Sequence, residues 1–166
     1  SCIKEFDLNV TLGFHRLAIN GLTDKSNQPL QHNDCVLICN GEIYNHTKLA
    51  KLVGIQIHTE SDCEIIIHLY KKFGMTHTLH LLDGVFAFVL YDMKLNRIFV
   101  ARDQWGVRPL FSNTGNAIGV SWKDTDWAVQ CCQTWMFASE LKSLNNLCKN
   151  VEQFPPGTVS CFNIRN

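Results

Sequence analysis

The sequence predicts an α+β fold in which two stacked sheets are covered on their outer faces by helices. Three observations carry this reading. Strand-like segments outnumber helical ones. Several strands, Gly84 to Asp92 above all, are apolar at successive positions, so both faces must be buried. The helical segments carry a single apolar stripe and so cover a sheet from one side. At 166 residues the chain reads as one domain, 1–166, large enough for a substantial core.

The elements follow in order. Val10 to Ile19 reads as a strand, apolar at both parities. Asn20 to Asn33 is polar, holds Asn20-Gly21 and Gln28-Pro29, and reads as a loop. Cys35 to Cys39 is the next strand, and Asn40-Gly41 ends it in a sharp turn, because glycine tolerates a positive φ. Asn45 to Val53 fits a short helix stopped by Gly54. Ile55 to His58 is a short strand. Ser61, with Glu64 three residues later, has the spacing of a capping box. Ile65, Ile66, Leu69, Tyr70 and Phe73 then follow a helical stripe that Gly74 ends. Thr76 to Leu82 is a second short helix. Gly84 to Asp92 and Arg97 to Arg102 form a hairpin across Met93 to Asn96, and Asp103 to Pro109 is a loop. From Ser112 to Thr134 the periodicity weakens, with Trp122 and Trp127 among polar residues, and a hairpin or loop is expected. Trp135 to Ala138 is a strand, Ser139 to Asn145 a short helix, Phe154 to Gly157 a turn and Thr158 to Ile164 the last strand.

Composition narrows the function. Fifteen basic and fifteen acidic residues give zero net charge, with no basic run, so nothing points to nucleic acid. No apolar stretch approaches the roughly 20 residues of a membrane span, and the N-terminus has no signal-peptide pattern. The eight cysteines are irregularly spaced and read as reduced thiols of a cytoplasmic protein. No metal is expected. Cys131-Cys132 lack a second pair at ligand spacing, and the seven histidines are scattered, His77 and His80 having no third ligand.

Chemistry concentrates at Asn40, Gly41 and Glu42. A side-chain amide, a backbone N–H and a carboxylate sit on three adjacent residues. Such a corner can hold a polar substrate and stabilise an oxyanion. Taken alone, an Asn-Gly is more often an ordinary turn, and the surrounding chain decides.

Six segments occur in order: Leu12 to Ile19 (LGFHRLAI), Cys39 to Asn45 (CNGEIYN), Ser61 to Ile66 (SDCEII), Leu82 to Val89 (LDGVFAFV), Ala101 to Phe111 (ARDQWGVRPLF) and Phe137 to Lys142 (FASELK). Together they resemble the class II glutamine amidotransferase domain, most closely that of glutamine-hydrolysing asparagine synthetases. The resemblance implies the N-terminal-nucleophile hydrolase fold, a four-layer αββα sandwich of two mostly antiparallel sheets. It implies hydrolysis of L-glutamine to glutamate and ammonia. The ammonia would pass to a synthetase domain, in the same chain or another, that activates aspartate with ATP and Mg²⁺. No cofactor is implied for the amidotransferase domain itself. The oligomeric state stays open, a homodimer included.

The resemblance also assigns roles. Arg16 matches the clamp on the substrate α-carboxylate, a planar fork suited to two hydrogen bonds. Asn40 and the Gly41 N–H match the oxyanion hole. Glu42 and Asp62 match the acceptors of the α-ammonium group. Arg102, Asp103 and Arg108 read as structural, with room for a role at a synthetase interface. His15 is not the base, since the family uses the free amine of its first residue.

The family's nucleophile is a cysteine exposed at residue one in a Met-Cys-Gly-Ile start. A helix and a His-Arg-Gly-Pro-Asp loop follow it. Only 15 residues precede Arg16 here, and they contain neither motif. Cys2 is a poor stand-in, because the glycine is absent and the helix and loop have no room. Ser1 to Thr11 is therefore expected to match an irregular stretch after that loop, with the first strand, first helix and nucleophile upstream. This chain alone would then bind glutamine without turning it over. A pseudoenzyme, or a domain serving a different acceptor, are the alternatives. Ser112 to Thr134 is longer than the family's usual connection, and no Ser-Gly-Gly-x-Asp-Ser loop of a synthetase half is present.

Overall fold

The computed structural model describes residues 2–6, 10–15, 23–113, 120–121, 129–130, 135–145, 147 and 150–164. The centre of the fold is a long antiparallel strand pair. Strand β4 (Cys35–Ile43) pairs with β5 (Gly84–Asp92) in continuous register from Cys35 opposite Asp92 to Ile43 opposite Gly84. β5 continues into β6 (Arg97–Arg102) across a tight turn, with Asp92 opposite Arg97. On one side of β4 lies the short β3 (Leu30–His32), and on the far side of β6 lies β12 (Thr158–Asn163). The two-residue strands β8 (Val120–Ser121) and β9 (Val129–Gln130) both pair with β12.

Alternation along β4 divides the core in two. Cys35, Leu37, Cys39 and Ile43 point toward the helices, where Leu49, Ile66, Leu69 and Leu79 complete a buried cluster. The helices are α1 (His46–Val53) and α2 (Glu64–Leu81). Val36 and Ile38 point the other way, into a second cluster with Val10, Leu12, Val89, Phe154 and Phe162. That second cluster is roofed by further strands. β1 (Cys2–Phe6) pairs with β2 (Val10–Phe14). β7 (Phe111–Asn113) is flanked by β10 (Phe137–Ala138) and β11 (Val151–Gln153). The short α3 (Lys142–Asn145) packs on β7 and β10. The layering is helix, sheet, sheet and helix. It explains why β5 is apolar at both parities: each of its faces meets a core.

Several expectations hold closely. The hairpin strands at 84–92 and 97–102 have the expected bounds. Gly54 ends α1 in the left-handed region at φ 70°. Gly74, at φ 78°, interrupts α2, so that two helical pieces meet there.

Others are corrected. Asn40-Gly41 is not a turn: β4 runs straight through it, and Gly41 has no positive φ. Glycine is required for a different reason. A Cβ on Gly41 would lie 2.3 Å from the Val85 carbonyl oxygen and 2.6 Å from the Phe86 Cα. Ser1 to Thr11 is not irregular, because β1 occupies Cys2–Phe6. β2 is one-sided, with Val10 and Leu12 buried and Thr11 and Gly13 exposed. The loop expected over Asn20 to Asn33 contains a 3₁₀ turn, Asp24–Ser26, and β3. Ile55 to His58 forms no strand. The capping box does not form, because the Glu64 carboxylate is engaged by His58, Thr59 and His68 instead. β11 had no periodic signal in so short a segment. Arg16 to Ile19, Trp122 and Trp127 lie outside the described residues.

Gly84 tests the close approach of β4 and β5. A Cβ there would meet the Glu42 carbonyl oxygen at 2.2 Å and the Ile43 Cα at 3.0 Å, backbone atoms that no rotamer change can move. Gly84→Ala should destabilise the fold by about 1–3 kcal/mol. Denaturant unfolding should show this as a lower midpoint with an unchanged slope. An unchanged midpoint would mean that the strands do not approach this closely.

Candidate active site

The candidate residues lie at the C-terminal end of β4. Phe86, opposite Gly41, gives its own N–H to the Asp103 carboxylate at 3.2 Å and accepts from the Asp103 N–H at 2.8 Å. Both main-chain groups of Phe86 therefore point away from β4. Gly41 and Phe86 form a non-hydrogen-bonded pair, and the Gly41 N–H and C=O face the opposite edge of β4. Cys39 and Ile43, two residues to either side, face that same edge.

Among the described residues that edge has almost no strand beside it, yet its polar groups are engaged one by one. The Gln28 carboxamide meets Cys39, its Oε1 accepting from the N–H at 2.6 Å and its Nε2 donating to the C=O at 2.9 Å. The Cys63 thiol approaches the Gly41 carbonyl oxygen at 4.0 Å. The Ile43 N–H donates to Asp62 Oδ2 at 2.6 Å, and the Ile43 carbonyl is 2.9 Å from His46 Nδ1. Among the described residues, none accepts from the Gly41 N–H. One donor is left in an otherwise satisfied row, and buried or half-buried donors are rarely left so without a use.

Next to this donor are the other expected groups. The Asn40 and Glu42 side chains leave β4 on the face between the two sheets, the face that Val36 and Ile38 share. Glu42 is exposed and Asn40 partly buried. Asp62 comes from the turn before α2. Although only 7% exposed, it is brought to β4 by its bond to Ile43, the neighbour of Glu42. Asp62 thus meets the strand end along its edge, at Ile43, while the Glu42 side chain leaves the same strand end on the intersheet face. Cys2 lies on β1 opposite Phe14, partly buried, with no described hydrogen bond to Asn40, Gly41, Glu42 or Asp62. Arg16 lies outside the described residues.

Asn45, in the same sequence segment, is a staple rather than a helix cap. Its side chain donates to the Leu81 carbonyl at 2.9 Å and accepts from the Asp83 N–H at 3.1 Å. Tyr44 N–H bonds the Asp83 carbonyl at 2.8 Å. The end of α2 and the start of α1 are locked beside the site.

Cys63 brings a thiol to the site, and it is unsuited to attack. Its hydrogen bond with Cys39 and its burial hold the pKa well above the ordinary value, so it stays a protonated donor. The turn carrying Asp62 and Cys63 is braced by buried Glu64. Its carboxylate accepts from the N–H groups of His58 and Thr59, from Thr59 Oγ1 and from His68 Nε2 at 3.0 Å. His68 stacks on His32, with ring centroids 4.5 Å apart.

On the far side of β5, Arg102 and Asp103 are both buried and turned inward. The Asp103 carboxylate also accepts from the N–H groups of Trp105 at 3.0 Å and Val107 at 3.2 Å. The Arg102 guanidinium donates to the carbonyls of Arg108, Phe154 and Gly106 at 2.7, 2.7 and 2.6 Å. Their structural reading holds: they fix the loop after β6 and, through Phe86, the back of the Gly41 pair. A cavity of about 300 Å³ lies elsewhere, under α1, lined by His46, Lys51, Ile57 and Glu60 among others, and holds none of the expected site residues.

Gln28, His46 and Cys63 were missed from sequence. Their roles depend on which strand edge they meet, and only Gln28-Pro29 gave a local signal, that of a loop.

Residues 4–163 match the family described as a glutamine amidotransferase domain. The chain belongs to that family. This amidotransferase domain is 42% identical over 149 residues to the glutamine-hydrolysing asparagine synthetase of Sandersonia aurantiaca, covering 88% of this chain and 25% of that protein. It is 36% identical over 151 residues to a probable glutamine-hydrolysing asparagine synthetase of Acanthamoeba polyphaga mimivirus, covering 90% of this chain and 25% of that one. Among solved structures, it superposes on the glutamine phosphoribosylpyrophosphate amidotransferase from B. subtilis, complexed with ADP and GMP. The TM-score is 0.62 at 26% identity, covering 84% of this chain and 30% of that chain. The domain thus spans about a quarter of the length of the asparagine synthetases it matches. Among the described residues, no helix is long and apolar enough to cross a membrane.

The brace on the Asp62 turn has a pH signature. Burial opposes the Glu64 charge, but hydrogen bonds from His68, Thr59 and the His58 backbone outweigh it and hold the pKa below its ordinary 4.5. A folded value below the unfolded one adds stability above pH 4.5 that is lost as pH falls through the folded value. Burial and then neighbouring His68 push His32 below its ordinary 6.5, so a separate loss begins on acidification past that point. Thermal midpoints measured against pH should show both declines. Glu64→Gln should lower the midpoint at neutral pH and abolish the decline below pH 4.5, leaving the His32 limb. A variant curve parallel to the wild type throughout would contradict this bracing.

Proposed function

We propose that this domain binds L-glutamine and is the ammonia-supplying half of an asparagine synthetase, hydrolysing glutamine to glutamate and ammonia for the amidation of aspartate. The observation that carries it is the single Gly41 N–H left without an acceptor among the described residues, with the Asn40 amide beside it. In this reading both donate to the side-chain carbonyl of glutamine. Their bonds strengthen as negative charge develops on that oxygen, which is how such donors lower a barrier. Glu42 and Asp62 accept from the α-ammonium group, two anions for a three-donor cation. Arg16 takes the α-carboxylate with its planar fork.

Aspartate is favoured as the acceptor by likeness. The domain is 42% and 36% identical to two asparagine synthetases but 26% identical to the phosphoribosylpyrophosphate amidotransferase. ATP and Mg²⁺ would act at a synthetase domain and not at the residues described.

The family's nucleophile is an N-terminal cysteine, and no described thiol takes its place. Cys63 is held protonated, and Cys2 stands in β1 without a link to the donors. The polypeptide Ser1–Asn166 should therefore bind glutamine, measured by calorimetry, and release no ammonia. Sustained ammonia release that survives Cys2→Ala would overturn this.

In a longer form that carries the N-terminal cysteine and turns glutamine over, two substitutions should separate. Arg16→Lys replaces a fork by a point charge and should mainly raise KM, by the equivalent of about 1–3 kcal/mol. Asn40→Ala removes a donor used most in the transition state and should lower kcat by about 10²–10³. An intact kcat in Asn40→Ala, with kcat abolished and KM unchanged in Arg16→Lys, would show the roles to be wrongly assigned.

A further inference from the structure

The β3–β4 ladder stops just short of the candidate oxyanion donor. Leu30 opposite Leu37 is its last pair toward Gly41. The next edge residue of β4 is Cys39, and there the partner changes from a strand to a side chain. The Gln28 carboxamide, 8% exposed, occupies the place of a peptide unit. It accepts from the Cys39 N–H at 2.6 Å and donates to the Cys39 carbonyl at 2.9 Å. A primary amide offers the same donor and acceptor as a backbone peptide, but no chain continues from it. Had β3 extended as a strand past Cys39, a backbone carbonyl would stand opposite the Gly41 N–H and occupy it.

We propose that Gln28 is a positioning residue for glutamine. Its carboxamide ends the ladder at Cys39, holds the β4 edge straight through Gly41, and leaves the Gly41 N–H open to the side-chain carbonyl of the substrate. Asp62 performs the matching task two residues further on, at Ile43. The open donor is thus framed by one terminator on each side. An apolar side chain at position 28 would leave both Cys39 groups unsatisfied. The edge would then relax toward whatever acceptor it could reach, and the geometry of Gly41 would be lost with it. This inference rests on the reading of Gly41 as the donor to glutamine.

The full 166-residue chain, labelled with [¹⁵N]glycine, tests it without needing turnover, since it has ten glycines and so ten amide signals. In the wild type, adding L-glutamine should shift the Gly41 amide and slow its hydrogen exchange, with calorimetry following binding in parallel. In Gln28→Leu the glutamine-induced response at Gly41 should be lost, while the Gly84 amide keeps its wild-type position. A merely stabilising role for Gln28 would not silence one amide selectively. If Gln28→Leu does not fold, Gln28→Glu serves. Its ionised carboxylate lacks the donor for the Cys39 carbonyl, and protonation restores it, so the Gly41 response should return on acidification through the carboxyl titration. An equal Gly41 response in wild type and Gln28→Leu, or a pH-independent one in Gln28→Glu, overturns the positioning role alone. Glutamine binding that leaves wild-type Gly41 unmoved, or no binding at all, overturns the donor reading and this inference together.

Discussion

β4 has two edges with different obligations, and the rest of the molecule follows from how each is met. One edge is engaged along its full length by β5, from Cys35 to Ile43. The other is met by β3 only as far as Leu37, and beyond that by side chains from three separate places in the chain. Burying a strand edge without partners is costly, because every main-chain N–H and C=O must be matched. Gln28, Cys63, Asp62 and His46 match theirs. Among the described residues, the group left over is the Gly41 N–H, the donor that the amidotransferase reading needs.

The same strand pair holds the site residues in place. Gly41 and Gly84 allow β4 and β5 to approach more closely than a Cβ would permit. Behind them, Asp103 holds Phe86 and the loop after β6, and Arg102 ties that loop to Phe154. Neither charge is an ion pair with a long side chain in solvent. Each is buried and bonded to several main-chain groups, an arrangement in which a buried charge is tolerated. Preorganised donors at a reacting carbonyl need such a frame, since reorganisation at the moment of reaction would cancel their advantage.

Much of this was legible in the sequence, and the exceptions share a cause. Continuous apolarity in 84–92 marked a strand with two buried faces, and Gly54 and Gly74 marked helix ends that the structure places there. The Asn40-Gly41 dipeptide read as a turn but lies within a strand. Its glycine serves close packing against Phe86 and not a positive φ, a constraint set by a strand more than forty residues away. The capping box failed because Glu64 found better donors in the preceding loop. Asp62 could be singled out from its motif, but its bond to Ile43 could not. Gln28 was hidden for the same reason: its partner is a strand edge, and edges exist only after the sheet has formed.

The most direct test is a crystal structure of this chain with L-glutamine. The account predicts the side-chain carbonyl oxygen within hydrogen-bond distance of the Gly41 N–H and Asn40 Nδ2, roughly 2.7–3.2 Å, and the α-ammonium group between Glu42 and Asp62. Glutamine seated in the cavity under α1, or with its carbonyl turned away from Gly41, would contradict it.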